Sequence, residues 1–191
     1  MVLSEVRLLP AVDIDAILAQ VSTETVHAIE HAAVVGMVPM HQHMELCDAV
    51  FAHLGDDGHT ALWRRGAVDI LTNGYVQKLF QLTRRLFGAT PKGLVQKFDH
   101  VYDFSTRGLG HVAVDSVGDD HGRVWLRNWP ADQFNMPCFR SGLQGSLWAV
   151  IDAFEFDGEV AVLDEDAARG EVMYELRWRA RDPASGLATT G

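Results

Sequence analysis

Two histidine pairs stand at spacings that could hold a metal ion. His27 and His31 are four residues apart, so a helix would set them on one face, and His41 with His43 follows after a short loop. The chain has no His-Glu-x-x-His, and no cysteine pair supports the site; a polar helix face and its loop account for the same residues. No metal ligand is therefore assigned. Cys138, with His111 or His100 as base, is the candidate nucleophile, because Pro137 places it near a helix start, where a thiol pKa would fall. No orienting third group can be named and Gly-x-Ser-x-Gly is absent, so no catalytic residue is assigned and no enzyme is expected. Gly142-Leu143-Gln144-Gly145 lacks the Gly-Lys-Ser/Thr of a phosphate loop and reads as close helix packing. Asp119-Asp120 and Asp164-Glu165-Asp166 read as solvated hairpin turns, and Arg64-Arg65 and Arg84-Arg85 as exposed helix faces.

The aromatic residues carry more information. Phe98 and Tyr102 flank His100 near the end of a helix, Trp125 and Trp129 lie on or just past a strand, Phe134 and Phe139 precede the central helix, and Trp148 is on it. Large aromatics fill ordinary cores, and they also line pockets for small ligands when an indole or imidazole N–H orients a polar group.

The element that must position them is central. From Gly142 onward, Leu143, Leu147, Val150, Ile151 and Phe154 recur at helical steps, and Gly142, Gly145 and Ser146 are small enough for close approach to a neighbour. On either side, β-branched and aromatic runs bounded by Gly and Asp predict hairpins, 111–117 with 124–129 and 159–163 with 171–178. Upstream, the pattern predicts helices over 13–20, from 23 through 34, over 40–54, 60–71, 75–87 and 91–105. Gly55 closes the third, Asp56 to Thr60 forms a turn and cap, and Pro91 sits at a favoured first-turn position. The helix through 34 has apolar residues on all sides and is expected to be buried. The order is several helices followed by β-β-α-β-β, an α+β fold with an antiparallel sheet. Residues 1–181 are expected to form one domain and 182–191 a flexible tail.

Bulk properties narrow the partners. With 191 residues, 48% hydrophobic and 22% charged, the chain can bury a real core. A net charge of -10 argues against nucleic acid and against anionic membranes. No apolar run reaches spanning length, and the two cysteines, Cys47 and Cys138, read as free thiols of a cytoplasmic protein.

Several strings carry a resemblance: Met44-Glu45-Leu46-Cys47-Asp48, the segments around Gly66 and Gly74, Thr90-Pro91-Lys92-Gly93-Leu94-Val95, 137–145 and 171–178. Over about residues 13–179 the chain resembles the superfamily that groups haem-NO-binding (H-NOX) domains, 4-vinyl reductase domains and small TRAPP subunits. Most specifically it is similar to a myxobacterial paralogous family. The resemblance implies a sensory or regulatory domain in which a small apolar or aromatic ligand sits between the late helices and the sheet. Phe98, His100, Tyr102, Trp125, Trp129, Phe134, Cys138 and Trp148 are then the candidate lining. The alternatives are a TRAPP-like interaction module with a filled core, homodimeric or bound to a partner protein, and a histidine-based metal or haem protein. Met37, Met40 and Met44 would give the interaction module an adaptable surface. The cysteines that 4-vinyl reductase domains carry in the last hairpin are absent, which disfavours zinc. Tyr102-Asp103-Phe104-Ser105-Thr106-Arg107 departs from the Tyr-x-Ser-x-Arg of H-NOX domains, so no cofactor is expected.

Overall fold

The computed structural model describes residues 6, 9–31, 38–72, 77–105 and 110–182. Among the described residues, six helices with defined bounds precede the sheet: α1 (Ala11–Leu18), α2 (Thr23–His31), α3 (Met40–Thr72), α4 (Gln77–Phe87), α5 (Pro91–Val95) and α6 (Phe98–Ser105). Strands β1 (His111–Val117) and β2 (His121–Arg127) follow, then α7 (Ala131–Phe134), α8 (Pro137–Ala153), β3 (Phe156–Asp166) and β4 (Glu171–Ala180). The four strands form one antiparallel sheet in the order β1-β2-β4-β3. The expected fold class is what the chain adopts.

Strand alternation decides what faces what. Gly122, Val124 and Leu126 of β2 and Val172, Tyr174, Leu176 and Trp178 of β4 are buried on the face that α5 and α8 cover, while Arg123, Trp125 and Arg127 point to the other face. The helix over 142–154 starts earlier than its periodicity indicates, at Pro137, which occupies the first turn where a missing N–H costs nothing. α8 packs on α3 more extensively than any other pair of elements. A Cβ at Gly145 would collide with the Thr60 carbonyl, and one at Gly142 would lie 3.1 Å from the Trp63 ring nitrogen, so the small residues do set the approach. α8 also ties down the edge strand: Gln144 Nε2 donates to the Val160 carbonyl at 2.8 Å and Trp148 Nε1 to the Gly158 carbonyl at 2.9 Å.

Several boundaries differ from expectation. The turn expected over 56–60 is helical, but the break expected at Gly55 is present: its φ of 70° and ψ of -177° are non-helical and suit glycine, so α3 is two helices that meet there without a loop. Burial of His59 and Leu62 explains this, because packing outweighs the weak helix propensity of Asp56-Asp57-Gly58. The helix expected through residue 34 is described as far as His31 and, contrary to the burial expected of it, is largely exposed there, with Thr25 its buried member. Ser22 caps it by accepting from Thr25 N at 3.2 Å. Glu45 of α3 then accepts from Ser22 N at 2.6 Å, from Ser22 Oγ and from Thr25 Oγ1, and these bonds hold its carboxyl below the ordinary range. Glu45→Ala should cost about 1 kcal/mol in urea unfolding and fray α2 first in hydrogen exchange. The segment over 91–105 breaks into α5 and α6. Met44 is core and Met40 is half-buried against the core, so Met44 adds nothing to the expected methionine surface; Met37 lies outside the described residues, as do residues 32–36 and the tail beyond Asp182.

Candidate functional site

Between α3 and α8 lies a buried polar chain that the sequence patterns did not single out. Trp63 Nε1 can only donate, and it lies 3.1 Å from His59 Nε2, so that nitrogen carries no proton. The proton therefore sits on Nδ1 and is donated to Ser141 Oγ at 2.8 Å. Ser141 passes its own proton to the Pro137 or Cys138 carbonyl, each 3.3 Å away. His59 and Ser141 thus touch like a base and a nucleophile, but the tautomer is the wrong one: the imidazole donates to the hydroxyl and cannot accept from it. Burial, reinforced by nearby His43, pulls His59 down to about 4 and keeps it neutral. The i, i+4 spacing of His59 and Trp63 was the available signal, hidden by the expected turn.

Both thiols are buried. Burial and the Asp48 charge push Cys138 up to about 12, which reverses the expected helix-terminus effect, and burial likewise raises Cys47. Cys47 Sγ sits 3.6 Å from His43 Nε2. His27 and His31 stack, ring centroids 4.0 Å apart, with His31 Nδ1 donating to the His27 carbonyl. Among the described residues no group of three or more His, Cys, Asp or Glu could hold a metal ion.

Of the eight candidate pocket residues, the structure brings four to one place, the first turn of α8. Tyr102, Trp129, Phe134 and Cys138 are all buried. Phe139 stacks on Trp129 with ring centroids 4.2 Å apart and meets Phe134 at 5.9 Å, and Tyr102 meets Trp129 at 6.3 Å. The other four fall elsewhere. Trp125 is on the opposite face of the sheet under the Arg127 guanidinium, because Val124 and Leu126 take the inward positions. Trp148 sits on the flank of α8 with Arg64 over its ring. His100 is exposed beside Asp99, and Phe98 packs half-buried at the core margin.

Three polar atoms in this region have no hydrogen-bond partner although buried: Trp129 Nε1, Gln133 Oε1 and Tyr174 OH. Trp129 and the α7 residue Phe134 share Phe139 as neighbour, and the Tyr174 hydroxyl lies within electrostatic reach of Arg140, the next residue. Burial raises the Tyr174 pKa, so it stays a neutral donor and acceptor. Of the three, Trp129 Nε1 belongs to a ring of the aromatic cluster itself, and Gln133 precedes its member Phe134 in the chain.

An open cleft of about 810 Å³ lies outside this helix–sheet space, where the ends of β3 and β4 meet α3 and α8. Its charges are largely spent on one another. Arg64 grips Asp152 with two bonds at 2.5 and 2.7 Å, so it is no free helix-surface cation. Arg123 and Arg177 share the buried Glu175 at 3.0 and 2.8 Å.

No protein-family model and no curated protein matches the chain. Solved structures do. An H-NOX protein from K. algicida in the Fe(II) unliganded form superposes with a TM-score of 0.66 at 11% identity, over 94% of this chain and 96% of that one. The H-NOX from Shewanella woodyi, solved in the Fe(II)CO state, gives 0.61 at 16% identity over 100% and 97%. An oxygen-binding H-NOX domain related to soluble guanylate cyclases gives 0.55 at 9% over 77% and 76%.

The K. algicida and Shewanella woodyi structures are Fe(II) forms, so the residues here must be tested against a haem. A haem needs a histidine nitrogen aimed into a space as wide as a porphyrin. His59 has both nitrogens engaged, His43 lies against Cys47 and edge-on to Trp63, and the other seven histidines are exposed or half-exposed. The ground between α6, α8 and the sheet is taken by Tyr102, Trp129, Phe134 and Phe139 packed on one another. The residues present do not fit a haem. At these identities the likeness establishes the architecture: the chain has the fold of H-NOX domains.

Proposed function

We propose that this chain is a non-enzymatic sensory or regulatory domain of the cytoplasm that binds a small aromatic molecule with a polar edge, without haem, at the first turn of α8. The narrower kinship with 4-vinyl reductase domains and the myxobacterial paralogues belongs to the same proposal, since it points to phenolic and apolar ligands. The reading is carried by the unpartnered Trp129 Nε1 within the Tyr102–Trp129–Phe139–Phe134 ring cluster, with the unpartnered Gln133 Oε1 and Tyr174 OH as further polar atoms that lack a partner. A buried polar atom without a partner costs about 1–3 kcal/mol, and an ordinary core loses such atoms to apolar replacements. A phenol or indole would exchange ring–ring contacts within the cluster for ring–ligand contacts of the same kind, and would make the hydrogen bonds that the free protein leaves unmade. Binding would then shift the balance between two packings of α7 and α8, the kind of response that a sensor needs.

Tyr174→Phe tests this. In the ligand-free protein it should raise stability by about 1 kcal/mol in urea unfolding, because an unmet hydroxyl is removed. In calorimetry with phenol as probe it should weaken binding about tenfold. A loss of stability on Tyr174→Phe, together with no heat from phenol in the unaltered protein, would refute the reading.

A further inference from the structure

On the face of the sheet away from α8, one guanidinium at the end of β2 is left without an acceptor. Arg123 and Arg177 share Glu175, but Arg127 makes no hydrogen bond or ion pair among the described residues. Its Nε–H is buried and unmet, while the side chain as a whole is only half-buried and its other N–H groups reach solvent. The carboxylate placed to meet it is Glu171, which adjoins Val172, the register partner of Leu126. Glu171 turns to Arg169 instead, at 3.5 Å. Buried donors are normally matched, so this cation stands out.

What surrounds Arg127 is either a donor or apolar. Its guanidinium lies 5.1 Å from the centroid of the Trp125 ring. His111 is its register partner on β1, and Asn128 Nδ2 lies 3.5 Å from His111 Nδ1. An amide nitrogen only donates, so Nδ1 accepts and His111 carries its proton on Nε2, a second donor beside the guanidinium. Ala113, Trp125 and Met173 form the next row across β1, β2 and β4, each half-buried.

We propose that this is a binding site for a small organic monocarboxylate. Its oxygens sit on the solvent-facing N–H groups of Arg127 and on His111 Nε2–H, and its apolar body lies along the Ala113–Trp125–Met173 row. A planar carboxylate matches a guanidinium with two parallel bonds, and one guanidinium balances one negative charge, whereas a phosphate dianion calls for a second cation. The site is on the opposite side of the sheet from Tyr174, so it stands independently of the aromatic-ligand reading.

Proton–nitrogen NMR of the labelled full chain tests it, with acetate, butyrate and inorganic phosphate added at fixed pH and ionic strength. The Trp125 indole N–H and the Arg127 Nε–H should shift saturably with both carboxylates. Butyrate should bind about threefold tighter than acetate or better, from its two further methylenes, and phosphate more weakly than acetate. Arg127→Gln should weaken butyrate about tenfold with the backbone signals of the sheet otherwise in place. His111→Ala, at an exposed position that the fold does not need, should weaken it about threefold and decides the matter if Arg127→Gln does not fold. No saturable shift with either carboxylate would overturn the proposal. So would tighter binding of phosphate than of acetate, or an affinity that neither substitution changes.

Discussion

Gly145→Ala should destabilise the protein by about 3 kcal/mol, the upper part of the range for overpacking, because the new methyl meets backbone that cannot turn aside. The atoms in its way are the Thr60 carbonyl, the Trp63 Cβ and the Arg64 amide, all on α3. Relief requires the two helices to part, which would also strain the His59–Ser141 and Arg64–Asp152 bonds that join α3 to α8. Gly142→Ala is the internal control. Its methyl meets the Trp63 ring at 3.1 to 3.2 Å, and a side chain can yield by a few tenths of an ångström, so the loss should be clearly smaller. Urea unfolding of both variants gives the comparison; equal losses would mean that α8 does not rest on α3 as described.

A second large effect concerns acid. The folded-state pKa of His59 is drawn down to about 4 from an ordinary value near 6.5, chiefly by burial. The unfolded chain therefore takes up its proton first as the pH falls. The stabilisation is present in full above pH 6.5, declines from there to about pH 4, and amounts to about 3 kcal/mol over the window. His43 is lowered too, also by burial, and adds to the loss in the same direction. Protonation of His59 would set an Nε2–H against the Trp63 N–H, so the cost has a stereochemical origin as well as a dielectric one. Unfolding free energies between pH 7 and 4 should show this slope, and His59→Gln should flatten most of it while lowering stability at pH 7. A variant with the same slope would place the acid sensitivity elsewhere.

Much of the architecture was legible in the residues. Val112, Val124, Leu126, Val172 and Leu176 mark strands by their type, and Gly142, Gly145 and Ser146 announce a helix that lies close to a neighbour. Less was legible of the site, for identifiable reasons. Trp125 looks like pocket lining by composition, but strand parity with Val124 and Leu126 turns it to the far face. His100 between Phe98 and Tyr102 looks like an orienting group, yet a helix sends neighbours in different directions, and it faces solvent. His59 was concealed by Asp56-Asp57-Gly58, a turn-like string that tertiary packing holds in helix. Tyr174 and Gln133 gave no signal at all, because an unmet hydrogen bond exists only once the fold is assembled.

The central claim is that this H-NOX fold carries an aromatic, haem-free binding place at the first turn of α8. Its most direct test is a two-dimensional proton–nitrogen NMR titration of the labelled protein with phenol, followed by haem. The account predicts a saturable shift of the Trp129 indole N–H with phenol, little change at Trp125 and Trp148, and no Soret band on adding haem. An unmoved Trp129 signal, or a Soret band that a histidine substitution abolishes, would contradict it.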